Sequence, residues 1–270
     1  MAQPMKGKVI ALTGPRKATD MAKLVENMGG TPLIRPAQGT VFLDDEALRA
    51  SITDWVEHPP DWSLFTTGIG FEAIMDMAEQ MGVQEKLLQI LQTTRIAARG
   101  YKTVNALKKR GLKPLVRDDD GSTAGLIRAF EGYDIQGKRV TLQLHGESAP
   151  QLVAWLQEKE TQTVQILPYK HIPPEEEELG LLLIEIIRHQ VDAVAFTSAP
   201  QFRFLAEYAR RKESWEPLAA ALCGPVIVCA VGKVTAQGLI EEGIEPQVVP
   251  EEERMGSMLV ALGRYFAERG

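Results

Sequence analysis

The chain has 270 residues, 44% of them hydrophobic and 24% charged, with a formal net charge of −6. That length accommodates two domains of ordinary size or one large one, and the composition is that of a soluble globular protein, not a disordered or membrane-embedded one. An acidic chain without a basic stripe speaks against nucleic-acid binding, and it draws no anionic ligand from a distance, so an acidic ligand would have to be held by local groups.

From the N-terminus onward, apolar runs rich in β-branched residues alternate with segments of helical period. "KVIAL" at 8–12 reads as a first strand, because charged and turn residues follow it where a secretory signal would continue toward a small-residue cleavage site. That points to a cytoplasmic protein. "ATDMAKLVENM" at 18–28 has helical spacing, and "TPLIRPAQ" at 31–38 is extended, its prolines excluding a helix interior and a central strand. The rhythm resumes with "SLFTT" and "FEAIMDMAEQM", with "RIAA" and "VNALKKRG", and with "RVTLQL". A second proline-bearing segment, "VQILPYKHIPPEEEE" at 164–178, ends in four glutamates that suit the positive end of a helix. Beyond it, "AFTSAPQFRFL" at 195–205 and "VIVCAVGKVTAQGLIEEG" at 226–243 are further strand-to-helix units. Such alternation is produced by crossover βαβ units, so the predicted fold class is α/β, with parallel sheets covered by helices on both faces. No apolar run approaches the ~20 residues of a membrane-spanning helix. Of the two cysteines, Cys229 lies inside an apolar run and is expected as a buried free thiol, and no disulfide with Cys223 is expected.

The chain repeats itself. Phe65, Thr66, Thr67 and Phe71 stand 131 residues before Phe196, Thr197, Ser198 and Phe202, and Gly100, Thr103, Gly111 and Pro114 stand 132 before Gly232, Thr235, Gly243 and Pro246. "GKVIALTG" at 7–14 is echoed by "GKRVTLQL" at 137–144. The halves read as divergent copies of one α/β design, and a cleft between two similar domains is the expected ligand site. The proline-bearing segments hold corresponding places in the two copies and read as crossings between domains, near 31–38 and 164–174.

In open α/β sheets ligands sit outside the carboxyl ends of the strands, where helix N-termini offer unpaired N–H groups and a dipole that favours anions. Thr66 and Thr67, Thr197 and Ser198, the loop "RGYKT" with Tyr101, Lys102 and Thr103, and the loop "VGKVT" with Gly232, Lys233, Val234 and Thr235 therefore read as four anion-accepting turns. Helix capping would explain each singly; their repetition in corresponding places gives them a functional reading. Arg16 in "LTGPR", Lys102 and Lys233 put positive charge beside the same turns. His145, between "VTLQL" and Gly146, is either a crevice-facing side chain or a hydrogen-bonded structural one. Tyr169, after Pro168 in a crossing, either points its phenol into the cleft as a proton donor or bridges core and water as an amphipathic ring.

"GIGFEA" at 68–73 matches a dinucleotide fingerprint, but it does not follow the first strand of its domain, its copy "APQFRF" lacks the glycines, and "RIAARG" ends without an acidic ribose ligand. The four histidines lack metal-ligand spacing, and there is neither a nucleophile elbow nor a Walker loop. Neither a metal nor a cofactor is expected.

The ordered set "LTGPR", "PYKHI", "AFTSAPQFRFL", "AVGKVTAQGLIEEGIEPQVVP" and "GSMLVAL" resembles the uroporphyrinogen-III synthase family over nearly the whole chain. The resemblance implies two flavodoxin-like domains with parallel sheets joined by a two-stranded β-ladder, residues 1–35 and 173–270 forming one domain and 38–168 the other. It implies a cofactor-independent lyase that cyclises hydroxymethylbilane, a linear tetrapyrrole bearing several carboxylates, to uroporphyrinogen III through a spirocyclic intermediate that inverts ring D. The tetrapyrrole is then the partner, with no nucleic acid and no membrane, and the chain is expected to be a monomer. On this resemblance Tyr169 falls on the family's crossing tyrosine, as an acid or a hydrogen-bonding group. Thr103, Thr197, Ser198 and Thr235 fall on its threonine and serine sites, and the backbone N–H groups of Gly68, Ala199, Val234 and Thr235 are expected carboxylate donors. A two-domain small-molecule sensor is the rival reading, and it predicts binding without turnover.

Overall fold

In the structure, a computed structural model that describes residues 3–146 and 148–269, the apolar runs form short strands and the helical-period segments form helices. The chain opens with β1 (Val9–Leu12), α1 (Ala18–Asn27) and β2 (Thr31–Ile34) and passes through β3 (Gly39–Phe42). It then builds α2 (Glu46–Glu57), β4 (Trp62–Phe65), α3 (Gly68–Gln80), α4 (Gln84–Thr93), β5 (Arg95–Ala98), α5 (Tyr101–Lys109) and β6 (Val116–Arg117). Next come α6 (Thr123–Ala129), β7 (Arg139–Gln143), α7 (Pro150–Glu158), β8 (Gln162–Ile166) and β9 (Tyr169–Ile172). The remainder is α8 (Glu176–Ile187), β10 (Ala193–Phe196), α9 (Ala199–Arg211), α10 (Trp215–Leu222), β11 (Ile227–Ala230), α11 (Lys233–Glu241) and α12 (Met255–Arg269). One unit runs to Gly39 and resumes at Ile172; the other is Thr40–His171. Strands β3 and β9 form a two-stranded sheet where the chain leaves the first unit and where it returns.

The first unit holds a parallel sheet in the order β11-β10-β1-β2, with Val248 adding a parallel bridge to Cys229 of β11. The second holds a parallel sheet in the order β6-β5-β4-β7-β8. Counted from β1, the first sheet has the flavodoxin-like order 2-1-3-4 with the Val248 bridge in fifth place; the second has the order 2-1-3-4-5 when counting starts at β7. The two copies seen in the sequence have therefore exchanged leading strand pairs: β1 and β2 join β10 and β11, while β7 and β8 join β4, β5 and β6.

The segments read as crossings are partly sheet. Thr31–Ile34 pairs along β1 as β2, with Pro32 on an edge strand, where its missing N–H leaves no inner ladder bond broken. Val164, Gln165 and Ile166 likewise pair along β7 within β8. The ladder is confined to the residues that follow each of them, in β3 and β9.

Period-2 alternation places the strands of the two parallel sheets between apolar layers. In the first unit Ile10, Leu12, Ala193 and Ala195 face α1 and α12, whereas Ala11, Val194, Phe196 and Val228 face α8, α9, α10 and α11. In the second, Phe65, Ile96 and Ala98 face α2 to α5, and Trp62, Leu64, Ala97, Val140 and Leu142 face α6 and α7. Full burial of one large apolar side chain contributes about 1.5–3 kcal/mol, more than an exposed ion pair at about 0–1 kcal/mol, so these layers outweigh the surface pairs. Cys229 is buried among them, and burial pushes its thiol well above the ordinary range. Among the described residues no helix is long and apolar enough to cross a membrane.

Helix starts follow their chemistry. Asp45 caps α2 by accepting from the Leu48 N–H, and the glutamate run opens α8, with Glu176, Glu177 and Glu178 in its first turn. Ser122 caps α6 through the Gly125 N–H while donating its hydroxyl to Asp120 at 2.6 Å. That hydroxyl, with Arg128, lowers the Asp120 carboxyl to about 2. A carboxyl depressed in the folded state contributes stability above its unfolded value near ~4 and loses it as pH falls toward its folded value. Asp120→Asn is therefore expected to lower the unfolding midpoint at pH 7 and to approach wild type as pH falls through about 2, a convergence that thermal melts across that window check.

Candidate functional site

In a flavodoxin-like sheet the ligand crevice lies where strand order reverses, between the first and third positions. In the second unit these are β7 and β4, and at their carboxyl ends a buried amide organises the turn. Gln143 sits opposite Phe65 in the sheet register. Its Oε1 accepts the N–H groups of Thr66 at 3.1 Å and Thr67 at 3.0 Å; its Nε2 donates to the Thr67 hydroxyl at 3.2 Å and to the Leu144 carbonyl. The Thr66 hydroxyl, also buried, donates to the Gln143 carbonyl at 2.8 Å. Thr67 caps α3 by accepting from the Gly70 N–H at 3.2 Å, and its Oγ1 lies 3.0 Å from the Tyr169 hydroxyl. Gly70 has to be glycine, because a Cβ there would overlap Gln143 Nε2. The second glycine of "GIGFEA" thus makes room for an amide, not for a pyrophosphate.

Tyr169 is the first residue of β9 and only 2% exposed. Its ring packs against Phe42 and His171, with centroids 6.2 and 5.4 Å away. Gly146, at φ +87, lets the loop after β7 pass so close that a Cβ would come within 2.8 Å of the tyrosine ring. His145 precedes it, half-buried, in the same loop. Arg99 follows β5, bonded through its N–H to Phe65 and through its guanidinium to the Thr123 hydroxyl at 2.8 Å. Burial pushes the Arg99 guanidinium below its usual value, against the opposing pull of Tyr169 and Asp118. The Arg99 guanidinium is thus within electrostatic reach of the Tyr169 phenol and of Asp118.

The first unit repeats the device at its own reversal, between β1 and β10. Gln201 on α9, buried, accepts the Thr197 N–H at 2.8 Å and lies 2.8 Å from the Thr13 hydroxyl, while its Nε2 donates to the Thr197 hydroxyl at 2.9 Å. Ser198 stands at the N-terminal end of α9, where Ala199 is the first helical residue, and its hydroxyl donates to Gln38 at 2.5 Å. Arg16 is exposed in the turn that follows β1.

The remaining two turns are each met by an acid of the chain itself. Gly100, the N-cap of α5, donates its N–H to Asp118 at 2.5 Å, and Lys233, first in α11 after Gly232, donates to Glu253 at 3.3 Å. Tyr101 and Lys102 are exposed, the ammonium 5.8 Å from the ring centroid; Lys233 and Val234 are exposed as well. Thr103 and Thr235 are buried.

The structure thus corrects the sequence-based picture of the four turns as rows of open donors. The amides of Thr66, Thr67 and Thr197 are held by glutamine side chains, the hydroxyls of Thr66 and Ser198 are donated inward, and Thr103 and Thr235 face the core. What a helix leaves without an internal partner are its first N–H groups, here those of Gly68 in α3 and Ala199 in α9. Gln143, Gln201, Gln38, Arg99, Asp118 and Glu253 were not anticipated. The one visible signal was Gln143, a lone amide in the apolar run "VTLQL".

Two parallel α/β sheets with hydroxyl-bearing turns and a buried tyrosine at one strand reversal define a two-domain α/β protein with crevice-type sites. The family model for uroporphyrinogen-III synthase HemD matches residues 19–260. The uncharacterized protein YjjA of Bacillus subtilis is 45% identical over 269 residues, covering 100% of both chains. A crystal structure of a mutant uroporphyrinogen III synthase from the extremely thermophilic bacterium Thermus thermophilus is 32% identical, with a TM-score of 0.83 over 98% of this chain and 100% of that one. The wild-type Thermus enzyme in another crystal form is also 32% identical, with a TM-score of 0.64 over 97% and 99%. The chain belongs to the uroporphyrinogen-III synthase family.

Proposed function

We propose that the protein is a uroporphyrinogen-III synthase that closes hydroxymethylbilane to uroporphyrinogen III, acting as a cytoplasmic monomer in tetrapyrrole biosynthesis. The observation that supports this most is a family match over 19–260 together with Tyr169 at the strand reversal of the second unit, hydrogen-bonded to Thr67. The reaction is a dehydration with carbon–carbon rearrangement, redox-neutral throughout, so no cofactor takes part. Tyr169 gives its proton to the departing ring-A hydroxyl, which leaves as water. The substituted carbon of ring D attacks the resulting cation to form a spirocyclic intermediate. That intermediate breaks and recloses at the unsubstituted carbon, whose hydrogen is released as the proton that restores Tyr169. Arg99 beside the phenol and the Thr67 hydroxyl stabilise the transient phenolate. Substrate carboxylates take the first N–H groups of α3 and α9, at Gly68 and Ala199, with Arg16, Tyr101, Lys102, Lys233 and Val234 as the exposed groups beside the other turns.

The test is incubation with freshly made hydroxymethylbilane followed by separation of the isomers. Type III product is expected in excess over the symmetrical type I isomer of spontaneous closure. Type I alone, at the uncatalysed rate, would sink the proposal; tight binding of the bilane in that case would point to a sensor.

A further inference from the structure

Counting lone pairs at Thr67 shows which way the hydrogens run. Two main-chain N–H groups, of Thr66 and Thr67, meet one end of the Gln143 amide, and only its oxygen can accept them. The other end is therefore Nε2, whose hydrogens go to the Leu144 carbonyl and to Thr67 Oγ1. Thr67 Oγ1 receives a second hydrogen from the Gly70 N–H. A hydroxyl has two acceptor positions and one hydrogen, so both positions are filled. Its hydrogen remains for the Tyr169 oxygen, 3.0 Å away.

We propose that Gln143 and Thr67 are positioning residues for Tyr169: Gln143 makes Thr67 the donor in the Thr67–Tyr169 bond, so that the phenol accepts from Thr67 and does not spend its own hydrogen there. This deepens the reading of Tyr169 as the acid and rests on it. A bond donated to the phenol oxygen strengthens as the proton leaves, because hydrogen bonds to a charged acceptor are stronger than those to a neutral one. Thr67 thereby favours both the direction and the ease of transfer. Arg99 acts in the same sense by charge alone.

The variants follow from the geometry. Thr67→Val keeps the side-chain shape but removes the donated bond together with the acceptor for the Gly70 N–H and for Gln143 Nε2; Thr67→Ser keeps all three. Gln143→Glu still accepts the two main-chain N–H groups but puts an acceptor where Nε2 stood, so the Thr67 hydrogen turns toward it and away from Tyr169. The readout is the carbon-13 signal of the hydroxyl-bearing ring carbon, labelled in all five tyrosines and assigned by its loss in Tyr169→Phe, followed against pH in the free protein. Thr67→Ser is expected to titrate with wild type, and Thr67→Val and Gln143→Glu at higher pH. In the cyclisation assay Thr67→Val should lower kcat about 10-fold with KM within about two-fold, and the alkaline limb of its pH–rate profile should move upward. Titration of Thr67→Val together with wild type overturns the proposal, and that variant decides alone should Gln143→Glu fail to fold. The titration needs no substrate, which separates the two readings: an unmoved signal in an active enzyme removes the relay and leaves the function standing. A moved signal in a protein that forms no type III isomer supports the relay and removes the function.

Discussion

Tyr169→Phe is expected to lower the rate of type III formation by about 10²-fold or more, the usual contribution of a positioned proton donor, with the fold retained. The phenol oxygen is the only atom removed. Its loss deprives the Thr67 hydroxyl of an acceptor at 3.0 Å, a cost of about 1 kcal/mol, while the ring continues to fill the space beside Phe42, His171 and Gly146. On the proposed mechanism, departure of the ring-A hydroxyl then has no acid at the strand reversal. Spontaneous closure continues in solution, so product composition is the more sensitive readout: as the enzyme slows, type I isomer should displace type III. Turnover near the wild-type rate, with the isomer ratio unchanged, would remove Tyr169 from the chemistry and leave it a ring that bridges core and water.

The distinction between fold and site shows what a sequence carries. Alternation of "KVIAL", "SLFTT" and "AFTSAP" with helical segments reports parallel sheets covered on both faces, because strand and helix periods are local properties of the chain. Pairing is not local. Ile10 lies beside Ala193 and Phe65 beside Gln143, and nothing in an apolar run states which distant run it will join, so the exchange of leading strand pairs between the two copies was invisible in their order along the chain. The same limit governs the turns. Thr66, Thr67, Thr197 and Ser198 were recognisable as small hydroxyl residues at strand ends, where ligands and caps make the same demand. Only the partners decide between the two, and Gln143, Gln201 and Gln38 reach those partners from residues 76, 4 and 160 positions away. Tyr169 was legible because it follows a proline in an extended segment; its neighbour Arg99 was not, since one arginine after a strand looks like any other.

Gln201→Leu is expected to destabilise the first unit by about 1–3 kcal/mol. The two side chains are close in volume, so the change removes an acceptor with little change in packing. Thr197 loses the partner of its N–H at the end of its strand, whereas the Thr13 hydroxyl, 2.8 Å from Gln201, keeps the Ala195 carbonyl at 2.9 Å as its acceptor. A donor left unsatisfied inside a protein costs about 1–3 kcal/mol, a sizeable share of the roughly 5–15 kcal/mol by which a domain is stable. Removing an exposed ion pair makes the contrast: Arg211→Ala breaks the pair with Glu176, whose side chains are 57% and 60% exposed, and should shift the midpoint by about 0–1 kcal/mol. Tryptophan positions make the measurement specific, since Trp215 lies in the first unit and Trp55, Trp62 and Trp155 in the second. In urea, Gln201→Leu should move the transition reported by Trp215 to lower concentration. If the transition of the other three moves equally, the units unfold as one cooperative body; if it stays, each sheet is stable by itself. A Trp215 transition that does not move at all would mean that water reaches the strand end and satisfies the orphaned Thr197 N–H, and the paired glutamines would then be packing, not structural clamps.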